Sequence, residues 1–435
     1  MKDQLISELT ILLGPEKVLT GLAVSERHTH IWRMNESLQA KAVLLPDSTE
    51  DVSAIMTICH KYQQPVVVHG GLTNLVGSAK THKDEVVIST ERMNTIEELD
   101  EQSRSITVQA GVILENLHQA CSEKGLLFPM NFGAKGTAQI GGIISTNAGG
   151  LRVFRYGMTR QLVLGLEVVM ADGTVISALK KIIKDNSGYD LKQLFIGSEG
   201  TLGIVTRAVL KLIEAPKSRT SAFVAFNEFT KVVGFLKFMD KGMAGLLTGY
   251  ELIWESAYKV MTSPPASTKP PLPLGYKYYV LLEGLGSSQE KDQEHFQELL
   301  EEALEQELIL DAVIAQSETD LNWFWTIRED VHVFAAHIKH DQHFDISLPV
   351  GEIGDFVEKV TQQLLQLEGV EVVFSFGHIA DGNIHLVVGR ITSEKTLIEK
   401  INQTVYEPLT EVYGSISAEH GIGTDKKPYL HLSRT

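Results

Sequence analysis

Cysteine is almost absent from this chain, which has only Cys59 and Cys121 among its 435 residues. The two thiols form no CxxC pair, and they are too few to hold an iron–sulfur cluster or a cysteine-rich zinc site. A disulfide framework and a dithiol redox centre are therefore excluded. So few cysteines are typical of a reducing compartment.

Long apolar runs and basic clusters are also missing. No stretch reaches about 18 consecutive apolar residues, and residues 1–18 predict a short amphipathic helix rather than a signal peptide. The formal net charge is −16, and the clustered lysines and arginines that bind phosphate groups are absent. We therefore expect no nucleic-acid partner, no membrane span and a cytoplasmic location.

Length and composition predict a globular protein of two domains. A single core stops growing at about 250–300 residues, and this chain is longer. Hydrophobic residues make up 43% and charged residues 22% of the sequence, which is ordinary for a folded protein. The residue pattern changes near Pro216, which predicts an α+β domain at 1–215, a second α+β domain at 216–410 and a C-terminal segment at 411–435.

Hydrophobic periodicity places strands and helices in both domains. In the first domain, helices are predicted at 49–62 and 114–124, and strands at 66–68, 86–89, 105–108, 164–170 and 203–211. In the second, strands are predicted at 221–226, 277–283, 307–314 and 371–376, and helices at 288–306, 318–339, 351–366 and 393–410.

Glycine is concentrated in the first domain. Residues 133–173 contain nine glycines, and Gly70 and Gly71 directly follow the apolar run 66–68. Glycine allows backbone amides to approach a phosphate closely and to form anion-binding nests. Neither cluster has the GxGxxG spacing of a Rossmann fingerprint, and no P-loop is present. These loops are therefore either plain turns or a non-Rossmann cradle for a dinucleotide.

The segment GHIADGNIH, residues 377–385, predicts a β-hairpin with a two-residue turn at Asp381 and Gly382. In that register His378 lies directly opposite His385, and opposed side chains are close enough for both imidazoles to reach one divalent ion. A later segment, SAEHGIG at 417–423, offers Glu419 as a third ligand. The alternative is that these are ordinary surface or core histidines.

Several of these segments together resemble one protein family. They are HGGLTNLVG at 69–77, FGAKGTAQIGGIISTNAGGLRVFRYG at 132–157, LGLEVVMADGTV at 164–175 and GYDLKQLFIGSEGTLGIVT at 188–206, with the two histidine segments. They resemble FAD-linked oxidoreductases of the vanillyl-alcohol oxidase or PCMH type, in the branch of D-2-hydroxyglutarate, D-lactate and glycolate-oxidase-D-like dehydrogenases. The resemblance implies an α+β PCMH-type FAD domain of two subdomains and an α+β substrate domain with an antiparallel sheet.

The resemblance also implies roles for individual residues. It implies zinc or another divalent metal at His378, His385 and Glu419, a catalytic base at His420, and a substrate-carboxylate contact at Arg328. His343 occupies a further substrate-binding position. The FAD pyrophosphate would lie against Gly70, Gly71, Leu72, Thr73, Asn74 and Gly77, and the rest of FAD against Pro129, Gly133, Gly136, Thr137, Gly141, Gly142, Asn147, Gly203 and Ile204.

Departures from the family pattern occur at three positions of the implied metal and substrate site and at one position of the nucleotide loop. His343 stands where the subgroup has lysine, Val387 where it has asparagine, Ala380 where it has glycine and His69 where arginine is common. We therefore expect an altered substrate pocket that disfavours a second carboxylate. The family also continues beyond the equivalent of Thr435 to a segment that closes over the flavin, so we expect the sequence to be truncated there.

The predicted reaction is oxidation of a D-2-hydroxy acid to the 2-keto acid with hydride transfer to flavin. Electrons would leave to an external acceptor, namely an electron-transferring flavoprotein, a quinone, a keto acid or dioxygen, and a homodimer is compatible with this prediction. Two alternatives stay open from the sequence. One is a metal-dependent hydrolase or lyase without flavin, and the other is a non-catalytic flavin-binding subunit of a larger complex.

Overall fold

A computed structural model describes residues 2–31 and 36–434, and the side chains from residue 4 onward. The chain divides into two compact units. Unit 1 consists of residues 2–31, 36–150, 156–215 and 419–427, and unit 2 of residues 151–155, 216–418 and 428–434. The predicted 411–435 segment is thus shared, because residues 419–427 alone belong to unit 1.

Unit 1 contains a four-stranded and a five-stranded sheet. The strands are β1 (Val18–Leu19), β2 (Ala42–Leu44), β3 (Val66–His69), β4 (Val86–Ser89), β5 (Ile96–Asp100), β6 (Ser105–Gln109), β7 (Leu126–Leu127), β8 (Val163–Val169), β9 (Val175–Ala178), β10 (Ile204–Lys211) and β11 (Ile213–Glu214). The order is β1-β2-β4-β3 in one sheet, with β2, β4 and β3 parallel, and β5-β6-β10-β8-β9 in the antiparallel second. Strand β11 pairs with β7.

Helices cover both sheets of unit 1, and the apolar cores lie beneath them. The helices are α1 (Lys2–Leu13), α2 (Leu22–Ser25), α3 (Thr49–Lys61), α4 (Leu114–Ser122), α5 (Ile140–Thr146), α7 (Thr159–Leu162) and α8 (Lys192–Phe195), and α6 (Val153–Tyr156) contains residues of both units. Ser48 begins α3, because its hydroxyl accepts a hydrogen bond from the Asp51 N–H at 3.1 Å. Apolar side chains of α1 and α3 pack against β2 and β4.

Unit 2 is built on one seven-stranded sheet, which is antiparallel as the family resemblance implied. Its strands are β12 (Ser218–Phe226), β13 (Leu247–Trp254), β14 (Tyr278–Gly286), β15 (Asp311–Ile314), β16 (His340–Ser347), β17 (Val370–His378) and β18 (Asn383–Arg390). They are arranged in the order β15-β12-β14-β13-β17-β18-β16. The helices are α9 (Phe229–Met243), α10 (Glu255–Met261), α11 (Gln289–Glu305), α12 (Glu318–Glu329), α13 (Ile353–Leu365) and α14 (Lys395–Tyr406).

The predicted helix at 318–339 was too long. Helix α12 begins at Ser317, whose hydroxyl accepts from the Asp320 N–H, and it ends at Glu329 because Asp330 leaves the helical region with ψ 63°. A 3-10 helix over Val331–Ala336 follows. It turns Phe334 into the core, where its ring stacks on two other phenylalanines at 4.8 and 5.5 Å. Burial of that aromatic ring outweighs continuation of the helical pattern.

Some elements were not predicted. The sequence interpretation missed α9, β13 and α10, and it began the strand at 307–314 four residues early, because Glu307 adopts a left-handed turn with φ 54°. Among the described residues, no helix is both long and apolar enough to cross a membrane.

Candidate active site

The histidine hairpin of unit 2 has a different register from the predicted one. A 3-10 turn at Ile379–Asp381 and a left-handed Gly382 lengthen the connection, so His385 pairs with Phe376 rather than with His378. The shift is two residues, which keeps both histidines on one face of the sheet. His378 and His385 are therefore diagonal neighbours, and their ring centroids lie 5.3 Å apart.

A buried ion network fixes His378. Strand β13 places Glu251 beside it, and the His378 Nδ1 lies 2.7 Å from the Glu251 Oε1. Arg328, on the last turn of α12, donates from Nε to the Glu251 Oε2 at 2.8 Å. Burial raises the pKa of Glu251, but interactions with His378 and Arg328 outweigh burial, so its pKa lies below the ordinary value. The carboxylate is thus ionised and holds both partners.

A second carboxylate stands beside His385. Strand β16 pairs Asp345 with His385, and the Asp345 Oδ1 lies 3.7 Å from the His385 Nδ1. The Asn383 amide donates to the same carboxylate at 2.8 Å, and the Ala418 N–H donates to its other oxygen at 3.1 Å. Asp345 has no exposed surface. Burial also raises the pKa of the nearby Asp381 to about 6.

These contacts suit a metal-binding role for the two imidazoles. A carboxylate at Nδ1 holds the proton on that nitrogen and leaves the ring's lone pair on Nε2, which is the usual arrangement of a metal-bound histidine. His378 meets this condition with a hydrogen bond, and His385 has its carboxylate at ion-pair distance. The donor set therefore fits a divalent cation that accepts imidazole nitrogen.

Arg328 retains an unused donor. Its side chain is 5% exposed, its guanidinium lies 4.9 Å from the centroid of the Phe376 ring, and its Nη2 has no hydrogen-bond partner. A buried guanidinium nitrogen without an acceptor costs about 1–3 kcal/mol, and more when charged. A ligand carboxylate would remove that cost, since guanidinium and carboxylate match in shape.

The residues that depart from the family pattern have distinct positions. His343 lies on β16 on the same face as Asp345, but it is half exposed and its Nε2 lies 2.7 Å from an Asp341 oxygen. Val387 is fully buried in the aromatic core of unit 2. Ala380 lies within the 3-10 turn of the hairpin. The substrate-binding role of His343 stays a prediction.

The glycine loops of unit 1 adjoin one another. A Cβ added at Gly70 would lie 3.6 Å from the Gln139 Oε1 and 3.8 Å from the Gly142 Cα, so the loop after β3 runs alongside the start of α5. A Cβ at Gly71 would overlap the Thr137 carbonyl oxygen, and only glycine allows this approach. The structure thus brings together the two loops that the sequence proposed as a dinucleotide cradle.

Backbone conformation in the first loop suits an anion. Leu72 and Gly77 are left-handed, with φ 55° and 75°. The Asn74 Oδ1 accepts from the N–H groups of Val76 and Ser78, which turns the chain between them. Left-handed residues in such turns direct N–H groups into a shared concavity. Backbone conformation and the Asn74 side chain thus give this loop the kind of turn that can bind an anion.

The other predicted cofactor residues lie in the second loop, at the end of α5, or elsewhere in unit 1. A Cβ at Gly133 or Gly142 would meet open space, whereas one at Gly141 would contact Ala110. Asn147 ends α5 in a left-handed conformation, and its side-chain oxygen accepts from the Arg160 N–H at 3.0 Å. Gly136 and Thr137 are exposed beside the loop, and Pro129, Gly203 and Ile204 are buried.

Glu419 and His420 lie in unit 1, whereas His378 and His385 lie in unit 2. Within unit 1, a Cβ added at Gly149 would lie 2.7 Å from the Glu419 Oε1, so this carboxylate rests against a glycine. The His420 carbonyl accepts from the Asn74 side chain at 3.3 Å. The predicted base thus neighbours the nucleotide loop through its backbone.

Comparison with known proteins identifies the family. Residues 40–178 match the family model described as FAD binding domain, and residues 215–435 match that of FAD linked oxidases, C-terminal domain. This chain belongs to the FAD-linked oxidase family. Membership confirms the predicted resemblance and the FAD-binding domain, and it favours a flavin enzyme over the flavin-free hydrolase.

Relatives of this FAD-linked oxidase match over most of its length. The D-2-hydroxyglutarate dehydrogenase, mitochondrial, of Danio rerio is 37% identical over 97% of this chain and 78% of the relative. The D-2-hydroxyglutarate--pyruvate transhydrogenase of Saccharomyces cerevisiae is 33% identical over 98% of this chain and 87% of the relative. The cytoplasmic location stays a prediction.

Solved structures show the fold. A p-cresol methylhydroxylase structure aligns with a TM-score of 0.74 at 15% identity, covering all of this chain and 91% of that one. The PCMH-type α+β fold that the sequence predicted for this FAD-linked oxidase is thus confirmed.

Sequence reasoning missed two residues of the site. Glu251 and Asp345 are buried carboxylates that contact the histidines, and neither was predicted to have a role. A signal for Glu251 was present, because the acid stands within the apolar run Tyr250–Trp254. An isolated acid in a buried strand needs a cationic or hydrogen-bonding partner.

Proposed function

We propose that this chain is an FAD-dependent dehydrogenase that oxidises a D-2-hydroxy acid, such as D-2-hydroxyglutarate or D-lactate, to the 2-keto acid with the help of a divalent metal, preferably zinc. The observation that carries the proposal is the buried Arg328 guanidinium, whose Nη2 has no partner although the same side chain is bound to Glu251 beside His378. The names of the relatives support the same substrate class.

The chain's own residues would bind the substrate and take up its proton. Arg328 would hold the substrate carboxylate through Nη2 and so fix the orientation of C2. His420 would accept the hydroxyl proton on a ring nitrogen, for which an imidazole with an unperturbed pKa of about 6.5 is suited. Bound FAD supplies the two-electron acceptor for the hydride that leaves C2.

The proposed metal would be held by His378, His385 and Glu419, and it would supply Lewis acidity that lowers the pKa of the substrate hydroxyl. Glu251 and Asp345 support this assignment, because they stand at the Nδ1 atoms of the two histidines.

Oxidation of the substrate leaves two electrons on the cofactor, and they must pass to an external acceptor. We propose an electron-transferring flavoprotein, a quinone or a second keto acid for this role. Peroxide formation under air would identify dioxygen as the acceptor instead.

The test is anaerobic mixing of the purified yellow protein with D- and L-lactate, glycolate, malate and D- and L-2-hydroxyglutarate, while flavin absorbance is followed. We expect a D-2-hydroxy acid to bleach the flavin and its L isomer to leave it oxidised. His420→Asn should keep the flavin but slow its reduction about 10²–10⁴-fold, because a positioned base is lost. His60→Asn, at an exposed position, is the control.

Two outcomes would contradict the proposal. If no 2-hydroxy acid bleaches the flavin, the substrate class is wrong. If His420→Asn is reduced at the wild-type rate, the base assignment is wrong. Removal of metal by a chelator should also stop reduction, and full activity of the metal-free protein would overturn the metal's role.

A further inference from the structure

Residues 419–427 belong to unit 1, although nearly the whole of unit 2 separates them in sequence from the other residues of unit 1. Contacts that hold the segment include those with Glu199, the Val76 carbonyl and Asn74. None of these residues is close to the segment in sequence. Its position therefore depends on side chains and backbone that lie more than 200 residues earlier in the chain.

Glu199 makes the most specific of these contacts. Its Oε1 accepts from the Ile422 N–H at 2.7 Å, and its Oε2 accepts from the Gly423 N–H at 2.9 Å. Gly421 and Gly423 are left-handed, with φ 84° and 49°. Two successive N–H groups in such a turn form a nest for an anion, and here the anion is the protein's own carboxylate.

Close packing makes this arrangement restrictive. Gly421 is favoured by its positive φ, and a Cβ there would lie 2.9 Å from the Glu199 Cδ, so an added side chain would displace the Glu199 carboxylate. Glu199 itself is left-handed at φ 51°, which is costly for a residue with a side chain, and its N–H donates to the Ser145 carbonyl at 2.7 Å. A strained residue held in this way indicates a functional constraint.

The nucleotide loop holds the other end of the segment. The Val76 carbonyl accepts from the N–H groups of Thr424 and Asp425 at 3.1 Å each. Asn74 shapes the loop through its oxygen and donates to the His420 carbonyl through its nitrogen. The backbone around Glu419 and His420 is thus anchored on both sides.

We propose that Glu199 is a positioning residue, which sets the backbone of residues 419–423 and so places the Glu419 ligand and the His420 base. Glu199 acts through the two backbone N–H groups that donate to its carboxylate. The inference rests on the proposed roles of Glu419 and His420.

The test compares Glu199→Gln with the wild type as flavin-loaded full-length protein. The oxygen of the Gln side chain can still accept from one of the two backbone N–H groups. Its NH2 group, however, faces the other N–H, so two donors oppose each other, and the negative charge is lost. Loss of an outer partner of a metal ligand typically lowers metal affinity or activity about 10–100-fold. We expect zinc affinity and kcat/KM to fall by that factor, while the flavin is retained.

The matched control is Glu8→Gln. Glu8 also lies in unit 1 and accepts hydrogen bonds from the Lys61 and Tyr62 side chains at 3.0 and 2.6 Å. It joins α1 to α3, and its two hydrogen-bond partners both lie at the end of α3. A general loss of stability would affect both variants, whereas a positioning effect changes zinc affinity in Glu199→Gln alone. Glu199→Asp, which keeps the charge, should recover part of the loss.

Hydrogen exchange of the Ile422 and Gly423 amides, measured on zinc-free protein, separates this inference from the proposed function. Glu199→Gln should lose protection at these two amides even if no 2-hydroxy acid proves to be a substrate. Unchanged protection, or lost protection with wild-type zinc affinity and kcat/KM, would overturn the positioning role. If Glu199→Gln does not fold, Glu199→Asp takes its place under the same criteria.

Discussion

The two units of this protein build their sites by opposite means. In unit 1, the loops at 70–77 and 133–142 use backbone, and their close approach depends on glycine. In unit 2, strands β13 and β17 and helix α12 present ionisable side chains, and Glu251, His378 and Arg328 are each at least 93% buried. A backbone site suits a phosphate that many N–H groups share, whereas a side-chain site suits chemistry that depends on single protons and ligands.

This difference predicts which kind of substitution destabilises each unit. The contact between the unit 1 loops should be sensitive to added volume at Gly71, since its partner is the Thr137 backbone carbonyl, which cannot move aside. The unit 2 network should be sensitive to lost charge, since an ion left alone in the core has no water to replace its partner.

The largest expected effect is in unit 2. Glu251→Gln would leave the Arg328 guanidinium buried without its counter-charge, and we expect the free energy of unfolding to fall by about 3–5 kcal/mol. Urea unfolding measures the change. The control is Glu97→Gln, which breaks the partly exposed Arg207 ion pair of unit 1 and should cost at most about 1 kcal/mol. Equal losses of unfolding free energy in Glu251→Gln and Glu97→Gln would contradict the expected charge sensitivity of the unit 2 network.

The next prediction asks whether unit 1 also contains a buried side chain whose protonation lowers the free energy of unfolding. Burial lowers the pKa of His69, directly before the glycine loop, to about 4 from an ordinary 6.5. The unfolded chain therefore takes up this proton at higher pH than the folded protein. The free energy of unfolding is fully retained above pH 6.5 and should fall by about 3 kcal/mol as the pH drops to 4.

Unfolding measured between pH 7 and pH 4 checks this expectation. His69→Gln removes the titrating ring and keeps a donor for the Ala79 carbonyl, so its stability should depend less steeply on pH. The exposed His60→Gln serves as the control. An unchanged slope in His69→Gln would show that other groups cause the acid sensitivity.

The smallest effect concerns the contact between the glycine loops. Gly71→Ala would drive a methyl group into the Thr137 carbonyl, and such overpacking typically costs about 1–3 kcal/mol. We expect lower stability and a lower flavin content, read from the visible spectrum. Gly234→Ala, in α9 of unit 2, has open space around its Cβ and should be neutral or slightly stabilising. Full flavin content in Gly71→Ala would show that the loops need not touch.

The histidine hairpin shows how much of the site could be predicted from the sequence pattern. Alternation along the strands correctly placed His378 and His385 on one face, because the observed register differs from the predicted one by two residues and an even shift preserves the face. The direct pairing was wrong, because the 3-10 turn before Gly382 lengthens the connection by two residues. Turn geometry of that kind depends on local backbone contacts that a two-residue turn signal does not capture.

The buried carboxylates show which contacts could not be predicted from local sequence patterns. Glu251 lies 127 residues before the histidine it binds, and β13 was not predicted at all. Its partnership follows from the strand order β13-β17-β18-β16, which no local pattern contains. The same holds for Glu199, whose two backbone partners lie 223 and 224 residues later.

The sequence by itself determined the chemical inventory of this protein: its family, the absence of cysteine chemistry, the glycine loops and the histidine pair. These features are local, and spacing and composition express them directly. Only the tertiary structure decided which carboxylates stand behind the histidines, that Arg328 keeps an unused donor in the core, and that Glu199 holds the segment with Glu419 and His420. Such contacts join residues far apart in the chain, and they are selected by strand order and packing rather than by any short pattern.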